Sequence, residues 1–298
     1  MIQGLMASFA AGLPELLLCA MLAGSVGAAS AQTPQPIPEG AAARTATIDG
    51  LDLRVFTYRP SGCAVSGILL VFHGVGRNAD GYRDHAEVLG RQLCLIVIAP
   101  LFDKARFPTW RYQRGGIVHD GAVQPEAGWT VAMVPKLIAW ARAQENAPAM
   151  PYALIGHSAG GQFLSRAAAF VPLQATRIVI ANPSTWVMPT LDVRAPYGMG
   201  GVYEGAQAET ALRRYLAAPV TVLLGQDDTG SHELADSAEA VAQGPTRLAR
   251  GQNAYRQAEA MARAHDWAFG WKLALVPGVG HSAARMFASA QALEALRR

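Results

Sequence analysis

The stretch that most constrains what this chain can fold into is Gly156-His157-Ser158-Ala159-Gly160. Upstream, Tyr152 to Ile155 is a short apolar run with the length of a buried strand. Downstream, Ala159 to Phe170 is rich in alanine, carries Phe163 and Leu164, and reads as a helix. A serine between glycines at a strand-to-helix turn is the pattern of a nucleophile elbow. The residue types follow from geometry. The serine sits on a sharp turn with strained dihedrals, so its neighbours must lack bulk for strand and helix to close. Ser158 Oγ then projects above the sheet edge. The Ala159 N–H opens the helix and points where an oxyanion would form. With 30 glycines in 298 residues the spacing alone arises by chance. The strand before it and the helix after it give it weight.

The rest of the chain alternates in the same way. Thr45 to Tyr58 alternates around Asp49-Gly50, a hairpin with a tight turn. Gly67 to Phe72 and Leu93 to Ala99 are continuous apolar strands, with a helix over Asp80 to Gln92 between them. Leu101 to Gly128 is a long irregular connection. Trp129 to Gln144 has helical spacing, with Pro135 marking a kink or the true start. Further strands fall at Arg177 to Ala181, Val220 to Leu224 and Trp271 to Val276. Asn182 to Ala218 is a second long connection, and helices cover Gln252 to Ala264 and Ser282 to Leu296. Apolar strands alternating with helices make a mostly parallel sheet covered on both faces, here with an antiparallel edge from the hairpin.

A serine alcohol needs a base, and the base needs an orienting carboxylate. For a serine on such an elbow, both come from loops at the C-terminal ends of later strands. His281 follows the last strand in Gly278-Val279-Gly280-His281, where glycines let a loop fold back over the site. His232, His265 and His119 are weaker competitors, with His119 a candidate substrate contact. His157 points away from the nucleophile, and His73 bonds the backbone. The acid lies in Gly225-Gln226-Asp227-Asp228. Asp228 is favoured because the turn needs room before its carboxylate points inward, and Asp227 is the alternative. The second oxyanion donor comes from the loop after the first parallel strand, His73-Gly74-Val75-Gly76, with Val75 N–H as the donor beside that of Ala159. Trp110, Tyr112, Trp129, Trp186, Tyr197 and Tyr203 lie in or beside the two long connections, on the side where open α/β sheets bind ligands. Of these, Trp186 is the candidate substrate-binding residue.

Composition narrows the function classes. The chain has 25 Lys and Arg against 22 Asp and Glu, and its charge is nowhere concentrated, which argues against nucleic acid as a partner. Only Lys104, Lys136 and Lys272 are lysines, and the arginines read as solvated faces and local pairs. Leu16 to Ala29 is an apolar segment of about 14 residues, too short to span a bilayer comfortably. Ala29-Ser30-Ala31 fits a signal-peptide cleavage site. We therefore expect a signal peptide over 1–31, a flexible tether over 32–40 and one domain over 41–298, secreted or periplasmic, with no membrane contact after cleavage. The n-region lacks Lys and Arg, so an uncleaved anchor is the minor reading. Export and the position of Cys63 and Cys94, each just before a strand, point to one disulfide between them.

His73-Gly74-Val75-Gly76-Arg77-Asn78-Ala79-Asp80, with Gly156 to Gly160 and the late Gly280-His281, resembles the α/β-hydrolase superfamily. Within it, the segment is similar to the oxyanion segment of secreted polyhydroxybutyrate-depolymerase-like and feruloyl-esterase-like proteins. The resemblance covers about residues 45–298. It implies an α/β-hydrolase fold with about eight strands, a Ser158–Asp228–His281 triad, no metal or other cofactor, and hydrolysis of a small-molecule or polymer ester. An acyltransferase, an amidase or peptidase, or an inert binding protein on the same scaffold are the competing readings.

Overall fold

The computed structural model describes residues 34–297. The expected leader, 1–31, lies outside them. The chain enters through β1 (Gly40–Ile48) and β2 (Leu51–Arg59), paired antiparallel with Ile48 opposite Leu51. Asp49 and Gly50 between them have φ of 51° and 76°, the two left-handed residues that a tight hairpin needs. Then come β3 (Gly67–Phe72), α1 (Ala79–Leu93) and β4 (Leu95–Pro100). A small ribbon, β5 (Val118–His119) with β6 (Ala122–Val123), precedes α2 (Met133–Gln144). The order continues with β7 (Tyr152–His157), α3 (Ala159–Phe170), β8 (Arg177–Ala181) and α4 (Gly205–Ala217). It ends with β9 (Val220–Gly225), α5 (Ala238–Val241), α6 (Arg247–His265), β10 (Lys272–Val276), α7 (Ala283–Phe287) and α8 (Ala290–Leu296).

Eight strands form one sheet in the order β1-β2-β4-β3-β7-β8-β9-β10. From β4 to β10 every neighbour is parallel, and the β1–β2 hairpin joins β4 antiparallel. All residues of β3, β4, β7 and β9 are buried, which is why these strands read as unbroken apolar runs. Within each strand, alternate residues serve opposite layers. Leu69, Val71, Val97, Ile155 and Val179 pack with α1, α7 and α8. Ile68, Leu70, Phe72, Ile98, Leu154 and Val222 pack with α2, α3, α4 and α6. Each such Leu, Ile or Val contributes roughly 1.5–3 kcal/mol by leaving water. The Cys63–Cys94 disulfide ties the entrance of β3 to the end of α1, with Cα atoms 6.1 Å apart. Among the described residues no helix is long and apolar enough to cross a membrane.

Several expectations change. Residues 35–37, expected within the flexible tether, dock on the end of α2. Ile37 is buried, its N–H donates to Glu145 Oε1 at 2.8 Å, and Arg59 bonds both Ile37 O and Glu145. The connection expected over Asn182 to Ala218 contains α4, which buries Ala208, Ala211, Leu212, Tyr215 and Leu216. The last helix is two, because Ser289 Oγ accepts from Ala292 N–H and starts α8 afresh. Pro135 stands in the first turn of α2, where its missing N–H costs no helix bond. The arginines are not all at the surface. Arg166, Arg247 and Arg250 are buried and donate to backbone carbonyls of irregular segments: Thr185 from Arg166, His232 from Arg247, and Ser184, Ala235 and Gly244 from Arg250.

Candidate active site

Ser158 stands between β7 and α3 with φ 57° and ψ −117°, a left-handed conformation that costs a non-glycine residue of order 1–3 kcal/mol. The surroundings over-determine it. Its N–H donates to Ala181 O at 3.0 Å, and its carbonyl accepts from Gln162 N–H at 2.9 Å. The glycines are required by contact. A Cβ on Gly156 would lie 2.5 Å from Gly160 O, and one on Gly160 would lie 2.1 Å from Phe72 O. That second approach sets the N-terminus of α3, with Ala159, against the segment leading from β3 into Val75.

His281 comes from the loop after β10 and Asp228 from the loop after β9. These loops are stitched together: Gln226 N–H donates to Val276 O and Asp227 N–H to Val279 O, each at 3.0 Å. Asn182, at the end of β8 with φ 44°, completes the seam. Its amide oxygen accepts from Gly225 N–H at 2.9 Å and its amide nitrogen donates to Gly280 O at 3.3 Å. The result brings three sequence-predicted residues into one line. Ser158 Oγ is 3.0 Å from His281 Nε2, and His281 Nδ1 is 2.7 Å from Asp228 Oδ2. Asp228 is buried, whereas Asp227 is exposed, so it is Asp228 that meets the imidazole. The other oxygen, Oδ1, faces Arg247 at 3.6 Å.

The other histidines fall elsewhere. His157 is buried, bonds Tyr82 Oη through Nδ1 at 3.2 Å, and packs against the His281 ring at 4.6 Å. Burial first, then the charges of His281, Arg247 and His85, hold its pKa well below the ordinary range, so it stays neutral. His73 is buried beneath the Val75 loop. Its Nε2 accepts from Phe102 N–H at 3.1 Å, and Tyr112 Oη donates to its carbonyl at 2.8 Å. Burial lowers its pKa to about 4, with Arg77 adding to the effect. Arg77, with φ 61°, donates to Phe102 O and Phe107 O, each at 2.9 Å, and covers the Tyr112 ring. Gly74 to Gly76 is thereby pinned to the connection after β4. His119 packs at a tilt against Trp110, and His265 stacks on Trp267. His232 supplies its carbonyl to Arg247.

The expected aromatic wall is mostly core. Trp186 has no exposed surface: it packs near Trp271, and Gln243 brackets its backbone. A side chain with no accessible surface cannot line an open pocket, so Trp186 is part of the core. Tyr112, Trp129 and Tyr197 are likewise buried, while Trp110 and Tyr203 keep part of their surface. Among the described residues no group of three His, Cys, Asp or Glu is arranged to hold a metal ion. Sequence reasoning missed Asn182, Tyr82 and Arg247. Only Asn182 carried a signal, a polar residue directly after a buried strand.

No protein-family model and no curated protein matches this chain. Solved structures do. The LpqC poly(3-hydroxybutyrate) depolymerase from Bordetella parapertussis is 33% identical, with a TM-score of 0.78 over 84% of this chain and 88% of that one. Poly(aspartic acid) hydrolase-1 from Sphingomonas sp. KT-1 is 35% identical, with a TM-score of 0.80 over 86% of this chain and 99% of that one. The siderophore hydrolase EstB from Aspergillus nidulans, 13% identical with a TM-score of 0.50 over 84% and 93%, shares the fold alone. An eight-stranded, mostly parallel sheet and two relatives of this similarity place the chain: it belongs to the α/β-hydrolase superfamily. It is a hydrolase.

Proposed function

We propose that this hydrolase cleaves carboxylic esters by transfer of the acyl group to Ser158. What carries the reading is the hydrogen-bonded line from Ser158 Oγ through the His281 imidazole to Asp228. In the first half-reaction His281 Nε2 takes the Ser158 proton as Oγ bonds the carbonyl carbon. The C=O electron pair moves to the oxygen, which rests on the N–H groups of Ala159 and Val75. The carbon–oxygen bond to the alcohol then breaks, and His281 returns its proton to that leaving group. Water repeats the sequence on the acyl-enzyme and frees the acid. Asp228 holds the Nδ1–H tautomer and balances the transient imidazolium. The Cys63–Cys94 disulfide favours an exported enzyme, since such bonds persist in oxidising compartments.

The similarity to a poly(3-hydroxybutyrate) depolymerase favours an aliphatic polyester or its oligomers as substrate. A second reading has its own support: the similarity to a poly(aspartic acid) hydrolase favours the amide bonds of an acidic polymer, cleaved by the same steps with nitrogen as leaving atom. The test is turnover of p-nitrophenyl esters from acetate to palmitate, beside 3-hydroxybutyrate oligomers and poly(aspartic acid), for wild type and Ser158→Ala. Wild type should cleave esters, and removing the nucleophile should cost roughly 10⁴–10⁶ in kcat. Cleavage of poly(aspartic acid) alone would favour the amide reading. An active Ser158→Ala variant, or wild type inert on every substrate, would defeat the mechanism. An added alcohol that captures most of the acyl group would mark an acyltransferase.

A further inference from the structure

Asp228 is almost wholly buried, and its two carboxylate oxygens have different partners. Oδ2 takes the His281 Nδ1 contact at 2.7 Å, and Oδ1 faces the Arg247 guanidinium at 3.6 Å. Among the described residues Arg247 is the one lysine or arginine within 4 Å of this carboxylate. A buried carboxylate without a compensating charge is costly and free to turn toward any donor. Arg247 is itself enclosed. It is 2% exposed and begins α6 behind the Thr246 cap, and one guanidinium nitrogen donates to His232 O at 2.6 Å. The next residue, Leu248, directs its N–H at the Asp228 carbonyl at 3.4 Å. The start of α6 therefore meets Asp228 at its backbone through a hydrogen bond and at its carboxylate through charge. Burial lowers the guanidinium's pKa, and Asp228 and Glu233 oppose that fall. The charge at this point is one the fold bears a cost to keep.

We propose that Arg247 is a positioning residue of the site: it anchors the outer oxygen of Asp228 so that the inner one stays aligned on His281 Nδ1. The proposal rests on the Ser158–His281–Asp228 reading above. A purely structural alternative exists in the same side chain, because Arg247 also staples the His232 carbonyl. The two separate by variant. Arg247→Gln removes the charge and, being shorter, also the reach to that carbonyl, whereas Arg247→Lys keeps the charge and loses the fork. The Asp228→Asn background separates loss of the anchor from loss of the staple.

The experiment measures kcat and KM on a p-nitrophenyl ester for Arg247→Gln and Arg247→Lys, and for Arg247→Gln in an Asp228→Asn background. Ser158→Ala serves as reference, and near-UV circular dichroism reports folding. We expect Arg247→Gln to lower kcat by about 10–100-fold with KM within about twofold, as for a misaligned catalytic group. Arg247→Lys should stay within about tenfold of wild type. In the Asp228→Asn background Arg247→Gln should cost less than about twofold, since no carboxylate remains to anchor. A folded Arg247→Gln with wild-type kcat overturns the proposal, as does an equal loss in both backgrounds, which a structural staple would give. If Arg247→Gln does not fold, Arg247→Lys decides: a folded Lys variant as inactive as Ser158→Ala overturns it, and retained kcat supports it. Activity surviving in Ser158→Ala would instead strike the underlying mechanism, so the two failures are told apart.

Discussion

Gly160→Ala adds one methyl group and should disable the site. The added Cβ would lie 2.1 Å from Phe72 O, 2.5 Å from Phe72 C and 2.9 Å from His73 O. All three are backbone atoms, so no side chain can swing aside. Ordinary contact requires β3 and the N-terminus of α3 to separate by about 1 Å, and overpacking of this kind costs about 1–3 kcal/mol. In a domain of this size that lowers Tm by roughly 3–10 °C. The catalytic loss should be larger than the stability loss suggests. The separation falls between Ala159 and the segment leading into Val75, the two proposed oxyanion donors, and a 1 Å misplacement costs about 10²-fold in rate. The assay is kcat/KM on a p-nitrophenyl ester together with a thermal melt. Gly128→Ala is the control, since its Cβ would meet nothing within 4 Å. A folded Gly160→Ala enzyme within about threefold of wild type, with an unchanged melt, would refute the close-approach reasoning.

Asp228→Asn should lose about 10⁴ in kcat, while Asp227→Asn, at an exposed residue, should stay within about threefold. The same ester assay reads both, and a dead Asp227 variant would reverse the assignment. Stability should fall with acid because His73 is buried neutral. Its folded pKa is about 4 against an ordinary 6.5, so the unfolded chain binds the extra proton between those values and stability rises with pH through that window. From pH 7 to pH 5, His73 alone should cost about 2 kcal/mol in urea melts. A flat profile over that range would contradict its burial as a neutral ring. Cys63→Ser combined with Cys94→Ser opens a link across 31 residues and should cost about 3–4 kcal/mol, read by the same melts.

What the sequence made legible depended on what each segment's neighbours demand of it. α3 and β8 matched their expected bounds, and β3 did too, because a strand buried on both faces must be apolar throughout and its ends are punctuated. The elbow was legible because its spacing is local, Gly156 closing on Gly160 within the motif, although the Phe72 contact that excludes a side chain at Gly160 comes from another strand. α4 was missed although Ala208, Ala211, Leu212, Tyr215 and Leu216 keep a helical spacing, since small alanines and the preceding glycine cluster dilute the stripe. Trp186 misled because an aromatic residue after a strand end can point over the sheet or beneath it, and the sequence does not distinguish the two. Arg247 was invisible for a different reason. Its partner Asp228 lies in another loop, and a cation at the start of a helix is locally unfavourable. Only the packing of α6 against the acid loop explains it.

The three buried arginines have a consequence for how this architecture can be altered. The irregular runs around Ser184, Thr185, His232, Ala235 and Gly244 have their carbonyls met by guanidinium groups that belong to α3 and α6. Apart from Gly244, which lies just before α6, their path is therefore encoded in helices 15 or more residues away along the chain. Transplanting those runs alone into a related scaffold would move the sequence and leave its shape behind. Carrying Arg166, Arg247 and Arg250 with them would be the minimum inheritance for the shape to follow.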